Sequence, residues 1–193
     1  MKKLLTMLLI SSLSVTSQAE DGWIVKEDTI YTHGSTVHGH EFGYFKDKKY
    51  CDNDLIYLQW STYEDGLREF TGVDAKIAIR INGEDEVIEV IPSTLMSTFK
   101  FPALMTLGTF KTIIFSKELS KDIRESQSIE FTFVGPEDMV DKIDIKSDIF
   151  DTSGLASAYS KFDNSCESLW GYATCNVETT ILNTNILAIT YGL

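Results

Sequence analysis

From Trp23 onward the apolar positions of this chain recur with period two far more often than with the 3.6-residue period of a helix, and the runs are rich in Ile, Val, Phe, Tyr and Thr. In "DLIYLQWST" Leu55, Tyr57 and Gln59 fall on one face and Ile56, Leu58 and Trp60 on the other, so a strand here is buried on at least one side. "AKIAIRI" turns Ile77, Ile79 and Ile81 inward and Lys76 and Arg80 outward, and "SIEFTFVG" does the same with Ile129, Phe131 and Phe133 against Glu130 and Thr132. Asn82-Gly83, between "AKIAIRI" and the returning "VIEVI", is the strongest hairpin signal, because both residues tolerate positive φ. "LMSTFKFPALMTLGTFKTIIFS" reads as two strands broken near Pro102, which has no N–H to give a ladder, and Gly135-Pro136 ends the strand before it. "DKIDIKSDIF" alternates again, with Ile143 and Ile145 on one side and charged residues between.

Helical spacing is confined to two segments. In "SKELSKDIRES", Ser116 is placed to cap a short helix carrying Glu118, Leu119, Asp122 and Ile123. In "DTSGLASAYSKF", Asp151, Thr152 or Ser153 can cap the first turn, and Leu155, Ala158, Tyr159 and Phe162 share a face. Short strands about ten residues apart, with few helices, predict a single all-β domain, a β-sandwich or small barrel with one or two short helices.

The first 19 of the 193 residues, "MKKLLTMLLISSLSVTSQA", have the form of a secretory leader: Lys2 and Lys3, an apolar run, and small residues before a cleavage point after Ala19. The run is too short to span a bilayer, and no later segment is apolar enough to do so. The expected organisation is therefore a leader over 1–19, a β-domain over 20–166 and a tail or added edge strand over 167–193, in a periplasmic or secreted protein. Export permits disulfides, and Cys51, Cys166 and Cys175 allow one. Cys51 with Cys166 is the expected bridge, because that longer loop constrains the unfolded chain more than Cys166 with Cys175.

The whole chain has 17 basic and 29 acidic side chains, a net charge of −12, and without Lys2 and Lys3 the balance is −14. Such a charge repels nucleic acid and anionic lipid, and points to basic proteins, cations or neutral ligands. "THGSTVHGH" holds all three histidines. His38 and His40 project from one face if extended, and a turn at Gly34-Ser35 can bring His33 near them, a set of donors suited to zinc or copper. The spacing matches no common zinc signature, so a solvated polar turn is the competing reading. The carboxylate clusters Glu64-Asp65, Glu84-Asp85-Glu86 and Glu137-Asp138 fall in or beside turns, where carboxylates are solvated and lack the burial that acid–base catalysis needs. No nucleophile elbow or phosphate-cradling loop is present. Trp170 and Tyr172, outside the strand pattern, are candidate partner anchors.

"DGWIVKED", "IAIRINGEDEV" and "FDTSGLASAYSKF" together resemble the invasion-associated locus B family of exported bacterial proteins, over Trp23 to Phe162. The chain departs from that pattern at Lys26, where the family has a cysteine, and in its C-terminal tail. The resemblance implies a non-enzymatic periplasmic or secreted β-sandwich acting at the cell envelope or on a host, and it carries over no catalytic residue. Two functional expectations follow. The first is an exported acidic protein that binds another protein or an envelope component without catalysis. The alternative is a zinc- or copper-dependent periplasmic enzyme or metal-binding protein using His33, His38 and His40.

Overall fold

The computed structural model describes residues 18–20, 22–26, 28–37, 39–46, 53–101, 105–114 and 116–169, without the side chains of 18–20 and 163–169. Ten strands form one antiparallel sheet: β1 (Gln18–Glu20), β2 (Trp23–Val25), β3 (Thr29–His33), β4 (Glu41–Phe45), β5 (Asp54–Thr62), β6 (Asp74–Ile81), β7 (Glu89–Lys100), β8 (Thr106–Ile114), β9 (Ser128–Gly135) and β10 (Ser147–Asp151). Their order is β1-β2-β3-β4-β5-β8-β7-β6-β9-β10. The chain leaves β5, passes a 3-10 turn at Leu67–Phe70, and walks back through β6, β7 and β8, so β5 to β8 form a Greek key. The pairing of β1 with β2 crosses the cleavage position expected after Ala19.

The sheet curls until its β10 edge meets the end of β3. Gly34 bridges Phe150, and the Ser35 amide donates to the Ile149 carbonyl at 2.8 Å. Inside the curl, Phe42, Trp60, Phe110, Phe131, Phe133 and Phe150 interlock, with Phe42 5.0 Å from Phe131 and Trp60 5.1 Å from Phe133 between ring centroids. This interior is a packed aromatic core, which dominates the burial energy of the domain.

The alternation read from β5, β6 and β9 holds: Ile56, Leu58, Trp60, Ile77, Ile79, Ile129, Phe131 and Phe133 are buried. The Asn82-Gly83 turn also forms, both residues at positive φ (56° and 70°), with the Glu84 amide donating to the Ile81 carbonyl at 3.1 Å. The β6–β7 ladder resumes only at Ile79 with Glu89, which leaves Val87 and Ile88 in an exposed loop instead of the returning strand. β7 then runs unbroken through Pro92. Its pairing with β8 reaches only as far as Thr94 opposite Lys111, so no β8 bond is asked of the missing N–H.

β10 does not continue the alternation of Ile143 and Ile145. The strand starts at Ser147 and buries Asp148 and Phe150, leaving Ile149 45% exposed. The preceding residues form a turn in which Ile143 is buried and the Ile145 carbonyl accepts from the Trp60 indole at 2.6 Å.

Among the described residues three short helices decorate the sheet. In α1 (Lys117–Glu125) the Ser116 hydroxyl accepts from the Leu119 amide at 3.1 Å, as its position predicts, and Leu119 and Ile123 are buried. The unexpected α2 (Glu137–Val140) is a single turn after Pro136. In α3 (Leu155–Leu169), Leu155, Ala158 and Phe162 are buried, while Asp151 accepts from the Ser153 amide just ahead of the helix. Arg124 of α1 and Tyr159 of α3 both donate to the Asp54 carboxylate, tying the two helices to the start of β5. They cover that end of the curl. Among the described residues, no helix is long and apolar enough to cross a membrane.

Candidate functional site

The two ends of the curled sheet differ in chemistry. Opposite the helices, where β3 and β5 end and β4 and β10 begin, a polar group is sealed into the core. His40 Nδ1 lies 2.8 Å from Asp148 Oδ2, and both side chains are 0% exposed. Asp148 also accepts from the amides of Thr36 (2.8 Å), Val37 (3.2 Å) and Ile149 (2.8 Å), so four donors converge on its two oxygens. The imidazole stacks on Trp60 at 3.9 Å and 21° between planes.

Gly34 makes room for this arrangement. A Cβ there would stand 2.3 Å from Asp148 Oδ2 and 3.1 Å from the His40 Cβ. Burial holds the His40 basicity below its ordinary value, opposed by the Ser61 carbonyl and the Asp148 carboxylate, which favour the charged ring. Truncating one member of such a pair leaves the other polar and buried, at a cost of about 3–5 kcal/mol.

His40, Asp148 and Ser61 have the residue types of a hydrolytic triad, but not its geometry. His40 Nε2 faces the Ser61 backbone carbonyl at 3.3 Å, where a triad presents a nucleophilic hydroxyl to that nitrogen. With the ring out of reach of solvent, the dyad holds the 34–40 turn against β10.

Of the remaining sequence-derived candidates, His33 falls within the fully described residues. His33 projects from the outer face of β3, 41% exposed and 3.9 Å from Glu41, so it and His40 point to opposite sides of the sheet. His38 lies outside the described residues, as do Cys51, the side chain of Cys166, Trp170 and Tyr172. Among the described residues, no three His, Cys, Asp or Glu side chains are grouped to hold a metal. The sequence reading missed Asp148 as His40's partner. The available signal was an acid two residues before Phe150, on the same face of a strand.

Two surface features lie outside the core. At the tip of the β7–β8 hairpin, Phe99 and Phe101 meet edge to face at 4.9 Å while remaining 58% and 42% exposed. Lys100 between them reaches Asp65 at 2.7 Å. On the outer face of β3, β4, β5 and β8, a groove of about 400 Å³ runs over Gly43, lined by Lys26, Tyr31, Glu41, Tyr57, Gln59 and Lys111 among others.

Comparison with family models, with curated proteins and with solved structures returns no match in any of the three.

Proposed function

We propose that this chain is an exported, non-catalytic binding protein that holds another protein or an envelope component. The observation that carries this reading is the exposed Phe99–Phe101 pair. Two aromatic rings held in water at a hairpin tip forgo burial that the domain gives to six of the other eight Phe described, and such rings anchor interfaces. The leader-like Met1–Ala19 supports export, and the charge of −12 favours a basic partner. Among the described residues, the His40–Asp148 pair is sealed from solvent and its Nε2 faces a backbone carbonyl, so it presents no reacting group to a substrate. The metal-dependent alternative draws no support from His33 and His40, which face opposite ways.

The test is capture from an envelope extract of the producing cell, using the chain and its Phe99→Ser/Phe101→Ser variant side by side at low and physiological salt. Retention of one species by the parent chain, strongest at low salt and lost with the variant, supports the reading. Equal retention by both proteins, or none at low salt, removes it.

A further inference from the structure

The β7–β8 hairpin outruns β5. Thr62, the last residue of β5, stands opposite Thr106, and Thr106 stands opposite Lys100. One step further out the Phe101 amide donates to the Met105 carbonyl at 2.9 Å, so the two arms stay hydrogen-bonded past the end of β5. Phe99 and Phe101, two apart along extended chain, share a face and meet edge to face in water. Lys100 between them turns the other way, where the Asp65 carboxylate takes up its ammonium at 2.7 Å. Tyr63, next after Thr62, is 69% exposed at the same end of the sheet.

This tip is apolar but small. Between them the two rings expose as much surface as one whole Phe, about 200 Å². A stable protein interface takes about 800 Å² from each partner. A protein partner therefore has to cover the polar flanks as well, Thr98, Thr106 and Asp65 among them, whereas a bilayer interface takes the tip alone. Lys100 carries its counter-charge with it, so no lone charge is stripped of water as the rings enter. Tyr63 supplies the apolar ring and wet hydroxyl that suit the headgroup level.

We infer that the Phe99–Phe101 tip docks the protein on a zwitterionic phospholipid surface, with both rings seated at the boundary between headgroups and acyl chains. The bilayer is then the envelope component of the binding reading above, on which this rests. The net charge of −12 sets the lipid class, because an anionic surface repels the chain and a zwitterionic one does not. Docking is shallow and reversible, since two half-exposed rings bury far less apolar surface than a spanning helix.

Flotation of the full chain with phosphatidylcholine vesicles, alone or mixed with phosphatidylglycerol, tests it beside Phe99→Ser/Phe101→Ser. Met1–Ala19 is common to both proteins, so the difference between them reads the tip. The parent chain should associate with phosphatidylcholine at about 10³ M⁻¹, the scale that so small an apolar area supports, and below that of one myristoyl chain. The variant should lose at least about tenfold, salt should change the parent's binding little, and phosphatidylglycerol should weaken it at low salt. A second readout needs no variant: spin-labelled phosphatidylcholine should attenuate the amide resonances of Phe99 and Phe101 and spare those of Asn82 and Gly83, at the opposite end of β7. No flotation with phosphatidylcholine, flotation only with phosphatidylglycerol, equal flotation of parent and variant, or unattenuated Phe99 and Phe101 overturns the inference. Capture of a protein from lipid-free envelope extract by the parent and not the variant, without vesicle binding, overturns lipid docking while the binding reading stands.

Discussion

The imidazole of His40 and the carboxylate of Asp148, 108 residues apart in sequence, meet at 2.8 Å inside the curl and hold β10 against the turn that follows β3. Asp148 is the hub, since it takes up the Thr36, Val37 and Ile149 amides as well. Asp148→Ala should therefore cost about 3–5 kcal/mol, read as a lowered midpoint in urea unfolding. Asp148→Asn should cost less, because one oxygen still accepts. Similar losses for Ala and Asn would mean that the amide contacts contribute little.

Gly34 and Gly83 separate two reasons for a glycine. A methyl at Gly34 collides with the Asp148 carboxylate, so Gly34→Ala should destabilise by about 1–3 kcal/mol through overpacking. Gly83 has open space around it and φ +70°, so Gly83→Ala should cost about 1 kcal/mol, from backbone conformation alone. Only Gly34→Ala should also disturb the amide resonances of Thr36 and Val37. An undisturbed pair of resonances would contradict the crowding.

Below its ordinary value of 6.5, His40 binds a proton less readily in the folded chain than in the unfolded one, chiefly because it is buried. Its contribution to stability is therefore complete above 6.5 and shrinks as pH falls from there toward the folded value. Unfolding midpoints at about pH 7.5 and 5.5 should fall more steeply for the parent chain than for His40→Gln. Parallel declines would assign the acid sensitivity to other groups.

Tyr44 carries a cost that can be removed. Its hydroxyl is buried and without a hydrogen-bond partner among the described residues, while its ring packs on Phe42 at 5.6 Å and Tyr159 at 5.3 Å. Tyr44→Phe keeps both ring contacts and should stabilise the domain by about 1 kcal/mol, because the lone buried donor goes. A destabilised variant would reveal a partner for that hydroxyl.

Much of the architecture was legible along the chain. The alternation in β5, β6 and β9, the positive-φ pair at Asn82-Gly83, the Ser116 cap and the apolar stripe of α3 depend on neighbours within a few residues, and each formed as its local chemistry requires. The burial of Asp148 in β10 was not legible, because its donors Thr36 and His40 lie more than 100 residues away. His33 and His40 do not converge, for a related reason. Closeness in sequence placed His33 and His40 in one short segment, but the pleat and the turn between them send one ring to water and the other against Trp60.

Periodicity and turn chemistry by themselves determined that this chain is a β-rich domain with short helices, one of them capped by Ser116, since strand, turn and helix preferences are settled by adjacent residues. Tertiary structure alone decided which polar groups share a site: the Asp148 hub at the seam and the glycine-floored groove each assemble from separate strands, and only the curl of the sheet brings those strands into register.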